Sequence, residues 1–258
     1  SLLWQVARTR TEKDLVINSL GRKWELTFTT LVLFGGALFA SFPKFYSTSF
    51  GGAYWVWIAI LFTFIIQAVS YEYRRKPWNI FGSLVYEGFL FINGVFGILL
   101  IGAAVGTFYT GSNFQLDSNN FVTWTHPLRG LEAALSLSLT SIFNIAMGLF
   151  LVFNARTLGA MYLLNNIELG EAPEMEPRLR QACWQNLVLS LPFCLLIVLS
   201  LLFMRGYSIV DDAGTVEKVS FKFFHNLVAN PWLLLLLVAG LALLVVAGWK
   251  TAKTSETR

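Results

Sequence analysis

Four carboxylates stand in or beside long apolar runs of the chain: Glu25, Glu72, Glu87 and Glu132. An acid in that setting is costly to hold, so it turns toward protein or water, and such acids relay protons or ions. Glu25 heads the first run directly behind Arg22 and Lys23, Glu72 closes the second, and Glu87 lies in the first turns of the third. Arg74 and Arg75 follow Glu72 closely enough to pair with it at a membrane interface, so pairing is the simpler account of that acid. For Glu25 and Glu87, relay and pairing stand level.

Iron is the other chemistry that an aromatic-rich apolar chain suggests, with His or Met as axial ligands. The two histidines, His126 and His225, both fall between apolar runs, where surface and capping roles are common, and Met147, Met161 and Met204 read as packing residues. Cys183 and Cys194 share one helical stretch, about 16 Å apart at about 1.5 Å per residue, beyond disulfide reach. They read as small apolar packing groups. No Gly-rich phosphate loop precedes a Lys-Ser/Thr pair, and neither a nucleophile elbow nor zinc spacing occurs.

The elements that must position these groups follow from composition. Hydrophobic residues make up 55% of the 258 positions and charged residues 13%, about half the charged share of a soluble domain. Runs near the roughly 20 residues that cross a bilayer fall at about 26–42, 53–70, 88–110, 131–153, 186–204 and 231–249. Each is apolar on every face, which excludes the alternating segments of a β-barrel. The expectation is an all-α, polytopic bundle of six spans forming one integral membrane domain over 1–258. The fourth helical pattern runs from Leu131 to about Asn165, and an acidic linker lies near 166–180. "GAAVG" at 102–106 predicts close helix contact. Fourteen of the nineteen Lys and Arg flank one set of span ends, which places both termini and that linker in the cytoplasm and explains the +4 charge without nucleic acid. The start lacks a signal peptide, and "SLLWQVA" reads as the tail of a longer apolar helix.

The stretch "VINSLGRKWELTFTTLVLFGGALFASFPKFYSTSFGGAY", with "VSYEYRRK", "EGFLFINGVFGILLIGAAVGTFYTG" and "ARTLG", resembles subunit II of cytochrome bd, the prokaryotic membrane quinol oxidase. The resemblance covers the chain to about residue 160 and is looser beyond. It implies further spans at both ends. The common family pattern reads Trp-Asp-Gly-Asn-Gln-Val-Trp where this chain has "WELTFTT", so Trp24 and the acid Glu25 carry over and the Gly-Asn-Gln portion does not.

The resemblance further implies a subunit that binds no haem itself. It would pack against a haem-bearing subunit I, which holds two b-type haems and haem d, oxidises quinol and reduces dioxygen to water. A small accessory subunit, membrane lipid and quinone complete the implied partners, in the prokaryotic plasma membrane. The family's proton-path acids align with Glu25 and Glu87, with Trp24, Glu72 and Arg74 as supporting residues. The rival reading is a secondary transporter or channel using the same acids for a cation or proton.

Overall fold

The computed structural model of the chain describes residues 1–253 except 22, 120, 136, 137, 169, 171 and 210–214. A first turn, α1 (Leu3–Val6), leads into α2 (Arg10–Gly21) and α3 (Trp24–Ser41). After α4 (Pro43–Tyr46) and a π-helical segment, Ser47–Gly52, α5 (Tyr54–Tyr73) runs back. The third span is α6 (Ser83–Ile92), a π-helical segment Asn93–Gly97, and α7 (Ile98–Thr110). A hairpin of β1 (Phe114–Leu116) and β2 (Val122–Trp124) precedes α8 (Glu132–Leu135), α9 (Leu139–Asn166) and α10 (Met175–Phe203). A second hairpin, β3 (Gly206–Ile209) with β4 (Val216–Val219), leads to α11 (Lys222–Ala229) and α12 (Pro231–Lys253). Six helical stretches among the described residues are long and apolar enough to span a membrane, so the all-α polytopic architecture holds.

Two boundaries differ from the sequence expectation. The fourth long helix starts at Leu139 rather than Leu131, because the Ser138 side chain accepts the Ser141 N–H and caps it there, while Glu132–Leu135 forms its own turn. The fifth starts at Met175, well before 186, and the linker therefore ends earlier. Met175, Leu179, Ala182 and Cys183 recur at helical spacing and are buried in one cluster with Val6, Val16 and Leu163. An amphipathic extension of that kind carries charge on its other side and escapes a search for uniformly apolar runs. The two hairpins and α11 occupy stretches between the apolar runs.

Small residues set the tightest helix contact. A Cβ added to Gly102 would stand 2.6 Å from the Gly148 Cα, and one on Gly106 would stand 2.6 Å from Asn144 Oδ1. The backbones of α7 and α9 touch there, as small-residue patterns allow in lipid. By contrast, α3 and α12 leave large apolar side chains outside, with Leu33 71% and Leu235 68% exposed. Side chains so placed face lipid or another protein rather than water.

Candidate functional site

Cations from the turn before α2, from α2 itself and from the end of α5 line one cavity, Arg8, Arg10, Lys13, Arg74, Arg75 and Lys76 among them, and Glu87 is the point where charges distant in sequence meet. Glycine at position 82 adopts φ 78° and turns the chain into α6, which puts Glu87 in the second turn. Its Oε1 accepts Arg74 Nη2 at 2.8 Å and Nε at 3.2 Å; its Oε2 accepts Lys13 Nζ at 2.7 Å and Trp4 Nε1 at 3.1 Å. A carboxylate offers about four lone-pair sites, and four donors fill them. A proton could settle on Glu87 only by displacing one of these donors.

Arg74 extends the network. Its Nη1 donates to Asp14 Oδ1 at 2.5 Å, and Arg75 approaches the same oxygen at 3.4 Å. Burial works against the Arg74 charge, but the hydrogen bonds to Asp14 and Glu87 outweigh it and hold its pKa above the usual guanidinium value. Three elements are thereby tied: α2 through Lys13 and Asp14, the end of α5 through Arg74, and α6 through Glu87. A second tie joins α2 to α10, where buried Glu12 pairs with Arg178. Glu12 also closes a reciprocal cap, its carboxylate accepting the Thr9 N–H at 3.1 Å while its own N–H donates to Thr9 Oγ1 at 3.2 Å.

Glu25 has a different setting. It lies exposed in the first turn of α3, and among the described residues it makes no hydrogen bond or ion pair. Arg22, one expected partner, lies outside the described residues. Lys23, the other, sits 4.9 Å from the centroid of the Tyr162 ring. Trp24 stacks on Tyr71 with centroids 6.4 Å apart and anchors this turn against α5.

Glu72 does not pair with Arg74 or Arg75. Both arginines go to Asp14, and Glu72 instead approaches Lys76 at 3.7 Å on the exposed surface. Helical geometry separates Arg74, two residues on, from Glu72 and favours Lys76, four residues on; Arg75, three residues on, is drawn to Asp14 instead. Glu132 belongs to the opposite end, where its oxygens accept the Gly130 N–H at 2.7 Å and Asn113 Nδ2 at 3.5 Å. His126 Nδ1 lies 3.5 Å from Glu132 and accepts the Leu128 N–H at 3.2 Å.

Of the residues marked out by sequence, the structure brings Arg74 and Glu87 together and leaves Glu25, Trp24 and Glu72 outside that network. Sequence reasoning missed Trp4, Lys13 and Asp14, which reach Glu87 and Arg74 across separations of 83, 74 and 60 residues. No periodic signal reports such pairs. The Thr9–Glu12 cap was detectable, since Thr-x-x-Glu ahead of a helix is a known start signature.

Comparison with known proteins follows from this geometry. A family model for cytochrome bd terminal oxidase subunit II matches residues 1–257. The chain is similar to the cytochrome bd-I ubiquinol oxidase subunit 2 of Escherichia coli (strain K12), 29% identical over 158 residues, which is 61% of this chain and 40% of that protein. It is also similar to a probable cytochrome oxidase subunit 2 of Haemophilus influenzae, 30% identical over 48% of this chain and 33% of that protein. A cytochrome bd ubiquinol oxidase subunit 2 of Bacillus subtilis is 26% identical over 42% of this chain and 32% of that protein. The matched segments thus span two fifths or less of each curated relative.

Proposed function

Because the chain belongs to the cytochrome bd terminal oxidase subunit II family, we propose that it serves a membrane quinol:oxygen oxidoreductase as the subunit that carries no haem. It packs against a haem-bearing partner, and its basic end faces the cytoplasm. The similarity to the Escherichia coli ubiquinol oxidase subunit supports the activity, and the excess of Lys and Arg on one set of span ends supports the orientation.

The residues present do not fit a haem. His126 stands in the loop before α8 and His225 on the short α11, both outside the six long helices. On the strength of the family, electron transfer to dioxygen is assigned to the partner, and this chain's part is shape and proton supply.

Dioxygen reduction to water consumes protons, and a reaction centre inside a membrane needs exchangeable groups leading to it. The observation that carries the site is the contrast between two acids at the same end. Glu25 is exposed and unpaired among the described residues, which leaves its carboxylate open as the entry group of the path. Glu87 is held by four donors and serves the path by fixing α2, α5 and α6 around the mouth. Thr29 stands one turn beyond Glu25 on the same helix face, and its hydroxyl offers the next exchangeable position.

The test uses Glu25→Gln and Glu25→Asp in the full-length, partner-bound protein. Gln keeps the size but removes the exchangeable acid; Asp keeps the acid on a shorter arm. Proton-transfer groups contribute about 100-fold or more, so quinol-driven oxygen consumption falls on that order for Gln and far less for Asp, at unchanged haem content. A Gln variant that assembles and turns over at the parental rate across pH removes Glu25 from the path.

A further inference from the structure

Beside the Glu87 network lies a cavity of about 440 Å3, lined by Arg8, Arg10, Lys13, Arg74, Arg75 and Lys76 but by only two carboxylates, Asp14 and Glu87. Both acids are already engaged by Lys13, Arg74 and Arg75. Arg8 and Arg10 are exposed at its rim, and among the described residues neither guanidinium has a partner. The cavity is therefore strongly positive, with two cations free to bind. Ser83, the first residue of α6, also lines it; Gly82 caps that ten-residue helix without a side chain, so first-turn N–H groups add to the positive field.

The segment that supplies Pro77, Asn79 and Ser83 to the cavity wall also exposes apolar side chains next to it in sequence. Trp78, Ile80, Phe81 and Leu84 interleave with the lining residues Pro77, Asn79 and Ser83, and they are 91%, 88%, 61% and 70% exposed. A free anion would gain nothing from that rim. An amphiphile would gain from both parts, its anionic head among the guanidinium groups and its chains along the indole and aliphatic surface.

We propose that this cavity binds the phosphate headgroup of an anionic membrane lipid, with Arg8 and Arg10 as its principal ligands and the 78–84 segment seating its acyl chains. Planar guanidinium forks suit phosphate oxygens in pairs. The bound lipid would neutralise the excess charge between α2 and α6 and brace the end at which Glu87 holds these helices. The inference requires the membrane reading but not the oxidase reading.

The test counts phosphatidylglycerol retained per complex, by lipid extraction and mass spectrometry, after purification of the full-length protein with its partner. Arg8→Gln/Arg10→Gln is compared with Lys44→Gln/Lys218→Gln, which removes two exposed cations that do not line the cavity. The expected result is about one fewer lipid in the first variant alone, with phosphatidylcholine unchanged and excess inorganic phosphate failing to displace the lipid from the parent. Equal lipid counts in both variants overturn the proposal. Displacement by inorganic phosphate assigns the cavity to a soluble anion and overturns the lipid part. Loss of the partner subunit with Arg8 and Arg10 assigns it to an acidic protein surface and does the same. Lipid is counted regardless of turnover, so this inference and the oxidase reading fail separately.

Discussion

Removing the charge from Glu87 leaves Lys13 and Arg74 beside a neutral amide in a region where the acid and the arginine are almost fully buried. Breaking a buried pair from one side costs about 3 kcal/mol or more, because the remaining charge loses its compensation. Glu87→Gln should therefore lower the thermal midpoint of the purified complex clearly. Glu72→Gln, which loosens one exposed pair with Lys76, should change stability by less than about 1 kcal/mol. Equal effects of the two substitutions would show that the Glu87 network does not hold the helices. The sequence already favoured pairing for Glu72 and left Glu87 open, and their partners in the structure separate them further. Two of Glu87's partners, Trp4 and Lys13, are folded over from far along the chain, and the third, Arg74, comes from the end of α5. That of Glu72 lies one turn away, where the i, i+4 rule would have found Lys76.

Among the helices, the α7–α9 contact brings backbone against backbone. Gly102→Ala places a methyl group against the Gly148 backbone, which cannot rotate aside, whereas Gly88→Ala enters open space. Overpacking of this kind costs about 1–3 kcal/mol. Thermal unfolding of the complex should therefore distinguish Gly102→Ala from Gly88→Ala, and an unchanged midpoint for Gly102→Ala would mean that α7 and α9 are not locked there. This contact was legible in "GAAVG", as were the six long helices, because lipid demands uniform apolarity along a span. What escaped notice lies where that demand ends. The polar start of α10 packs by one face, and the hairpins β1–β2 and β3–β4 are short strands whose pairing residues carry no long alternation.

The whole molecule has two unlike ends. At one, ion pairs bind α2, α5, α6 and α10 around a basic cavity; at the other, hairpins and short helices close the bundle, with Phe223 against Tyr109 and Lys222 bonded to Ser208. The family was readable from the residues around "GGALFASFPKFY", while the contrast in surroundings between exposed Glu25 and the four-donor Glu87 became visible only in the structure. We propose that this chain brings protons and shape, but no iron, to an oxygen-reducing complex. The most direct test is the visible spectrum of the full-length chain purified alone, set beside that of the same chain purified with its partner. The account predicts no Soret band from the chain alone, and haem bands with quinol-driven oxygen uptake from the complex. A stoichiometric Soret band from the chain alone, lost on His126→Ala or His225→Ala, would contradict it.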